Sequence, residues 1–322
     1  MQRRDLLKNS SLLALAGGVT AIAAKSRGGG SPKPDNQPAS NSYTKLSPLP
    51  VPATGEIPAA FVLGKDAEVL DFCGPLEVFA SAVTKDGKPL FHPYMVASTK
   101  EPVTVGGGMK VLPDYAFANA PVPKVIVIPA MDMSGNGPDM YDWIRTASKS
   151  TDVTMSVCNG AFVLAKTGLL SGKSATAHHG GYFRFAATYP DVKLKRGARF
   201  VDEGNLASAG GISSGIDLAL HVVERYVGRD LTLDVASAME YQGQGWLNAD
   251  SNDAYAKLPD FNETHPICPV CLSDGDRSIK SDYKDKTFYF CSKDEKDFFE
   301  KHTDIFEKFL AEDRARSPKL SK

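Results

Sequence analysis

The chain has 322 residues, of which 42% are hydrophobic and 23% are charged, and its formal net charge is −1. This length allows more than one domain, and the composition is that of an ordinary globular protein. No excess of lysine and arginine exists to release counterions from phosphates, so nucleic-acid binding is not expected.

The first 24 residues have the order of regions found in export signals. Arg3 and Arg4 precede an apolar run over 12–24, which is shorter than the roughly 20 residues needed to span a bilayer. An A-x-A cleavage site begins at Ala21. These features predict a twin-arginine (Tat) signal peptide over 1–24, recognition by the Tat export machinery, and a periplasmic or extracellular location.

Residues 25–56 are rich in Gly, Ser and Pro and are predicted to form a disordered linker. From Ile57 onward, short apolar runs alternate with helical patterns. Such alternation predicts an α/β fold with a mostly parallel sheet that is covered on both faces. The predicted strands lie over 59–63, 94–97, 125–128 and 154–157, and the predicted helices over 71–83, 140–147, 160–170 and 216–227.

The alternation stops after Tyr241. We expect a linker over 247–264, a small cysteine-containing unit over 265–312 and a charged tail over 313–322. A unit of fewer than about 50 residues buries little apolar surface, so a metal or a disulfide would help it to fold. In an oxidising compartment, closely spaced cysteines are compatible with either.

A candidate nucleophile, Cys158, lies where a predicted strand turns into a predicted helix. Ser156 and Gly160 are the small residues that a strained nucleophile turn requires two positions away on each side. The helix N-terminus would favour a thiolate and lower the pKa of the cysteine. From this pentapeptide alone, a buried structural cysteine is the simpler interpretation.

Four ordered motifs surround this turn: LDFCGPLEVF from Leu70, VCNGAF from Val157, GLLSG to ATAH ending at His178, and GISSGIDLAL from Gly211. Over roughly 57–246 they resemble the ThiJ/PfpI superfamily, in particular its isonitrile hydratases and the amidase-like domains of AraC-type regulators. The resemblance implies a flavodoxin-like (class I glutamine amidotransferase-like) sandwich, a small-molecule substrate, no cofactor in this domain and frequent homodimers.

The resemblance also implies roles for individual residues. Cys158 falls on the nucleophile, and Asp71 falls on the acidic residue that contacts the sulfur and moves a proton. His178 falls on a histidine that lies near the nucleophile in several branches, and backbone N–H groups of Asn159 and Ala130 would form an oxyanion hole. From the residues alone, Asp71 suits a helix N-cap equally well, and His178 suits a strand-end histidine.

The expected activity is therefore a cysteine-dependent hydratase or hydrolase reaction on a small molecule. The alternative is a non-enzymatic metal-binding or redox- and stress-sensing protein, in which Cys158 is an oxidisable thiol. Regulators of the AraC type would add a C-terminal pair of helix-turn-helix motifs, and no such pattern follows residue 246.

The small C-terminal unit has a CPVC motif, then a hairpin rich in Phe and Tyr, then a Phe-rich helix. Over 266–310 it resembles the YHS domain and the related TRASH domain. The resemblance implies a small α+β module that binds a soft metal such as zinc or copper. The expected ligands are Cys268, Cys271 and Cys291, with Glu295, His265 or His302 as an open choice for the fourth, and a Cys268–Cys271 disulfide as the competing interpretation.

Overall fold

The computed structural model describes residues 48–53 and 55–316, all within one compact unit of the chain. The predicted signal peptide, most of the predicted linker over 25–56 and the last six residues lie outside the described residues. Within the described part, Leu49 N–H donates to the Arg225 carbonyl (2.8 Å), so the end of that linker is bound to the domain that follows. No helix among the described residues is long and apolar enough to cross a membrane.

The described residues form thirteen strands and eight α-helices, and seven of the strands make the central sheet. The strands are β1 Ile57–Val62, β2 Phe91–Ala97, β3 Val103–Thr104, β4 Lys110–Val111, β5 Tyr115–Ala116, β6 Val125–Ile128, β7 Val153–Val157, β8 Ser174–Ala175, β9 Lys193–Leu194, β10 Phe200–Asp202, β11 Leu206–Ala209, β12 Asp276–Tyr283 and β13 Lys286–Phe290. The helices are α1 Val69–Ser81, α2 Pro138–Ala147, α3 Gly160–Lys166, α4 Tyr182–Thr188, α5 Ser214–Val227, α6 Arg229–Ala238, α7 Lys293–Lys301 and α8 Thr303–Arg316.

The order of strands in the sheet is β10-β11-β7-β6-β1-β2-β5. Every neighbouring pair is parallel except β10 and β11, which are antiparallel. Side chains of β1 alternate between two hydrophobic clusters, with Phe61 in one and Val62 in the other. Helices α1, α5 and α6 cover the first face, and α2, α3 and α4 cover the second. The predicted α/β sandwich with a mostly parallel sheet is confirmed.

Five of the predicted helix boundaries shift by two to four residues, and two of these shifts bear on the site. Helix α1 begins at Val69 with Glu68 as its N-cap, so Asp71 is the third helical residue and not the cap. Helix α3 ends at Lys166, shorter than predicted, because Gly168 adopts a left-handed φ of +83° that terminates the helix.

The C-terminal module consists of the antiparallel hairpin β12–β13 followed by α7 and α8, and α8 continues into the predicted charged tail. It packs on the second face of the sandwich, where the Phe183 ring stacks on Phe299 at 5.8 Å between centroids. Arg196, only 3% exposed, donates to Glu312 (2.9 Å) and Asp313 (2.7 Å) of α8.

The segment over 247–264, predicted as a linker, is packed in part. A short 3-10 helix spans Asp253–Tyr255, and Asn252 and Ala256 on either side of it are buried. Its sequence, which contains several Asn and Asp residues and one Pro, is typical of a loop, and its burial follows from contacts with distant parts of the chain.

Candidate active site

Cys158 lies on a strained turn between β7 and α3. Its φ is +58°, a left-handed value that costs energy in a residue with a side chain, and it is 6% exposed. Its N–H donates to the carbonyls of Ala209 (3.1 Å) and Gly210 (3.0 Å), which hold the turn in place. A Cβ at Gly160 would overlap the carbonyl oxygen of Ile128, so this position requires glycine. The predicted turn geometry is therefore present.

Asp71 approaches this turn from helix α1. Its side chain is fully buried, and its Oδ2 accepts a hydrogen bond from the Ala130 N–H at 3.0 Å. Oδ1 has no hydrogen-bond partner of good geometry among the described residues, so one oxygen remains available for a proton. Burial raises the pKa of Asp71 to about 7, against the opposing effects of the Ala130 hydrogen bond and of the neighbouring Cys158 thiol.

The pKa of the Cys158 thiol moves in the opposite direction to the sequence-based prediction. Burial, and next the charge of Asp71, raise it to about 12. Backbone N–H groups of Ile212 and Asn159 face the sulfur and lower the pKa by less. The seven-residue helix α3 cannot outweigh the loss of hydration and a neighbouring carboxylate. At neutral pH the sulfur therefore carries its proton while Asp71 is close to half ionised.

The two N–H groups that were predicted to bind an oxyanion, those of Ala130 and Asn159, have different roles in the structure. The Ala130 N–H is committed to Asp71, so it is not free to bind an oxyanion, contrary to the prediction. The Asn159 N–H does face the reactive sulfur, and a second donor, Ile212, joins it. Sequence reasoning missed Ile212, although it lies in the GISSG motif directly after β11.

His178 lines the cavity of the site, and it has no effect on the pKa of the Cys158 thiol. Its Nδ1 accepts from the Gly180 N–H at 3.1 Å, so in the neutral ring Nε2 carries the proton. Its ring lies 4.2 Å from that of His179 between centroids, with the two planes tilted by 36°, and burial lowers the pKa of His178, which keeps its ring neutral at pH 7. The groups that shift the pKa of Cys158 are Asp71, Glu68 and backbone N–H groups, and His178 is not among them.

A cavity of about 350 Å³ lies near the Cys158–Asp71 pair, although neither of these two residues lines it. Leu70, next to Asp71 in the chain, and Ile212, whose N–H faces the sulfur, both line it. Its volume is that of a small-molecule site. Three residues that line the cavity were not predicted from the sequence, because they come from segments without a motif. They are Arg199, Asn252 and Tyr255.

The three cysteines of the C-terminal module form a thiol cluster. Sulfur atoms of Cys268, Cys271 and Cys291 all lie within 4.8 Å of one another, and those of Cys271 and Cys291 are 3.5 Å apart. All five cysteines of the chain are free thiols. The hydrogen bond from the Cys268 thiol is the main cause that lowers the pKa of Cys271 to about 5, whereas the pKa of Cys268 is raised.

The three residues considered for a fourth ligand have other partners. Glu295 pairs with Arg184 at 2.7 Å, and His302 Nδ1 lies 2.7 Å from the Phe298 carbonyl. His265 is exposed, with Asp274 at 3.8 Å. Among the described residues, the cluster that can hold a metal contains the three cysteines alone.

The sequence of this chain is similar to those of several known proteins. A profile of the DJ-1/PfpI family matches residues 58–225. An isonitrile hydratase from Pseudomonas putida is 35% identical over 186 residues, which cover 56% of this chain and 77% of that protein. The HTH-type transcriptional regulator CdhR from Pseudomonas aeruginosa is 27% identical over 151 residues, 46% of this chain and 44% of the regulator.

A solved structure supports the fold assignment. A ThiJ/PfpI family protein from Pseudomonas syringae superposes with a TM-score of 0.53 and 22% identity, covering 66% of this chain and 84% of that one. At this level of identity, the similarity shows a shared fold.

Proposed function

The chain belongs to the DJ-1/PfpI family, and we propose that it is a cysteine-dependent hydratase or hydrolase that acts on a small molecule of the isonitrile kind. The observation that carries the proposal is the pairing of Cys158, on a turn with φ +58°, with the buried carboxyl group of Asp71. The 35% identity to an isonitrile hydratase supports the choice of substrate class. The cavity of about 350 Å³ offers room for a small substrate.

In the proposed reaction the Cys158 sulfur bonds to the terminal carbon of an isonitrile, while the thiol proton passes to Asp71 and from there to that carbon. The product of this step is a thioimidate on the enzyme. Water then adds to the same carbon and the C–S bond breaks, which releases a formamide and restores the thiol. The net change is the addition of one water to the substrate.

Asp71 suits the proton transfer because its pKa of about 7 leaves both protonation states populated at neutral pH. A proton that leaves the sulfur for Asp71 also removes the negative charge that raises the pKa of Cys158. The thiolate therefore forms at the moment of transfer rather than resting in the free enzyme. The N–H groups of Asn159 and Ile212 support the negative charge during that step.

The proposal is tested by hydration of a small alkyl isonitrile, followed by formation of the formamide. Cys158→Ala is expected to abolish turnover, whereas Cys73→Ala, a matched change at a half-buried cysteine on α1, is expected to retain it. Asp71→Asn is expected to lower kcat with little effect on the fold, because asparagine still accepts from the Ala130 N–H. Undiminished turnover by Cys158→Ala would refute the mechanism.

We also propose that the thiol cluster of Cys268, Cys271 and Cys291 binds zinc or copper. Zinc–sulfur bonds of about 2.3 Å place the sulfurs of a tetrahedral site about 3.8 Å apart, and the observed spread of up to 4.8 Å fits after small adjustments. Three soft ligands would leave one position for an exogenous ligand. Metal analysis of purified protein and of the triple Cys→Ser variant tests this proposal, and equal metal content would contradict it.

The second candidate function, a non-enzymatic metal-binding or redox-sensing protein, has one observation in its favour. The sulfurs of Cys271 and Cys291 lie 3.5 Å apart, and both thiols are more exposed than the buried Cys158, so they are more accessible targets for oxidants or metals. Absence of turnover on isonitriles together with peroxide-dependent loss of free thiols at Cys271 would favour this candidate.

We further propose Tat-dependent export to the periplasm or the extracellular space, on the basis of the first 24 residues, and a homodimer, on the basis of the family resemblance. Fractionation of cells expressing the chain with Arg3 and Arg4 changed to Lys tests export. Light scattering of the purified protein tests the homodimer.

A further inference from the structure

The cavity beside Cys158 is completed by the segment between the α/β domain and the C-terminal module. Asn252 and Tyr255 of this segment both line the cavity. We propose that the two residues have different roles: Asn252 positions the loop that carries Ile212, and Tyr255 limits the size of the substrate. The inference rests on the proposed function only in taking Cys158 as the reacting group.

Asn252 is joined to the loop over 210–214 by one direct hydrogen bond to Ser214 and by one indirect link through Arg199. Its Oδ1 accepts from Arg199 Nη1 at 3.2 Å, and its Nδ2 donates to Ser214 Oγ at 3.2 Å. Arg199 in turn donates from Nη2 to Ser213 Oγ at 3.1 Å. The same loop supplies the Ile212 N–H that faces the Cys158 sulfur. Asn252 therefore acts on the nucleophile through this loop, as a positioning residue.

A buried carboxylate orients Arg199. Asp217 is fully buried, and its Oδ2 accepts from Arg199 Nε at 2.6 Å and from the Tyr241 hydroxyl at 3.1 Å. Its Oδ1 accepts from the Trp246 N–H at 2.9 Å. Because Asp217 offsets the charge of Arg199, and because Nε, Nη1 and Nη2 of Arg199 all donate to protein atoms, this end of the cavity carries little net positive charge.

Tyr255 forms the outer part of the cavity wall. Tyr255 is 54% exposed, and its ring lies 4.9 Å from that of His179 between centroids. The His179 ring in turn contacts the His178 ring, so three rings form one side of the cavity. Since Tyr255 is half exposed, its contribution to the hydrophobic core is small, and its main effect is on the width of the opening.

Helix α8 of the C-terminal module holds this wall in place. Asp313 Oδ2 accepts from the Leu258 N–H at 2.9 Å, and Arg316 pairs with Asp253 at 3.2 Å. Arg316 also donates to the Arg196 carbonyl at 3.0 Å. The module thus contributes to the substrate cavity through the segment over 253–258 and is more than an appended metal-binding unit.

The test for Tyr255 compares two electrophiles of different size, iodoacetamide and N-phenylmaleimide, with the modification of Cys158 quantified by peptide mass. Tyr255→Ala is expected to raise the rate with the bulky reagent, relative to the small one, on the order of tenfold. Tyr255→Trp is expected to lower this ratio, and Lys257→Ala, an exposed neighbour, should leave it unchanged. An equal ratio in all variants, or no modification of Cys158 in any of them, would overturn the assignment of Tyr255.

The test for Asn252 is the pH dependence of iodoacetamide modification at Cys158. Asn252→Ala is expected to raise the apparent pKa, because the Ile212 N–H is no longer held against the sulfur. Ser214→Ala removes the same hydrogen bond with little change in volume and should shift the profile the same way. An unchanged profile in a folded variant would refute the role of Asn252. Neither measurement requires turnover, so failure of the proposed function would be recognised separately.

Discussion

Replacing Asp71 with asparagine is expected to increase the chemical reactivity of Cys158 while it lowers turnover. The charge of Asp71 is the second cause, after burial, that raises the pKa of the thiol to about 12. Two charges about 4 Å apart interact by about 4 kcal/mol at an effective dielectric constant of 20, and part of that is lost to relaxation. We therefore expect the thiol pKa to fall by at least about one unit, which is about tenfold in thiolate at a fixed pH below it.

The assay is the rate of iodoacetamide modification at Cys158 between pH 6 and 10, read site by site by peptide mass, with Cys73→Ala as a background control. Wild-type protein should react much more slowly at neutral pH than a free thiol of pKa about 8.5. Asp71→Asn should react faster than the wild type. A wild-type pKa below the free-thiol value, or slower reaction of Asp71→Asn, would refute the electrostatic reasoning.

Three further predictions concern stability. Burial raises the folded-state pKa of Asp71 to about 7, so the native state binds more protons than the unfolded state above pH 4, and stability should fall as pH rises from 4 to 7. Asp71→Asn should flatten this dependence in urea unfolding, and an unchanged slope would argue against a buried, protonated Asp71. Gly160→Ala should cost at least about 3 kcal/mol, because the added Cβ meets the Ile128 carbonyl; Gly168→Ala, in open space but at positive φ, should cost only about 1 kcal/mol by the same urea assay. Arg196→Ala should cost about 2 kcal/mol, since it removes charge-assisted hydrogen bonds from a buried guanidinium to Glu312 and Asp313 of α8, and Lys195→Ala provides the matched control in thermal unfolding. A cost equal to the control would mean that this buried ion pair does not hold the module.

The α/β architecture and the nucleophile turn could be predicted from local sequence. Continuous apolar runs such as Val125–Ile128 predict buried parallel strands, and the observed β6 has the same bounds. Small residues around Cys158 predict a tight strand-to-helix turn, and the left-handed φ of Cys158 agrees with it. These features are determined by residues close together in the sequence, so they can be predicted without a structure.

The electrostatics of the site could not be predicted in this way. Helix position suggested a lowered pKa for Cys158, but desolvation and the charge of Asp71, 87 residues earlier in the chain, outweigh the helix. Likewise, the Ala130 N–H was expected to bind an oxyanion, and only the packing of α1 against the end of β6 commits it to Asp71. A pKa depends on burial and on charges that lie close in space but far apart in sequence.

By itself the sequence determined how the main strands and helices alternate along the chain and that Cys158 lies on a turn between a strand and a helix. It also showed that the C-terminal module contains three cysteines. Only the tertiary structure decided that the Ile212 N–H faces the sulfur, that Asn252 and Tyr255 line the cavity, and that α8 contacts the segment that carries them. The first set follows from local periodicity and turn chemistry. The second set depends on contacts between segments that are far apart in the sequence and share no motif.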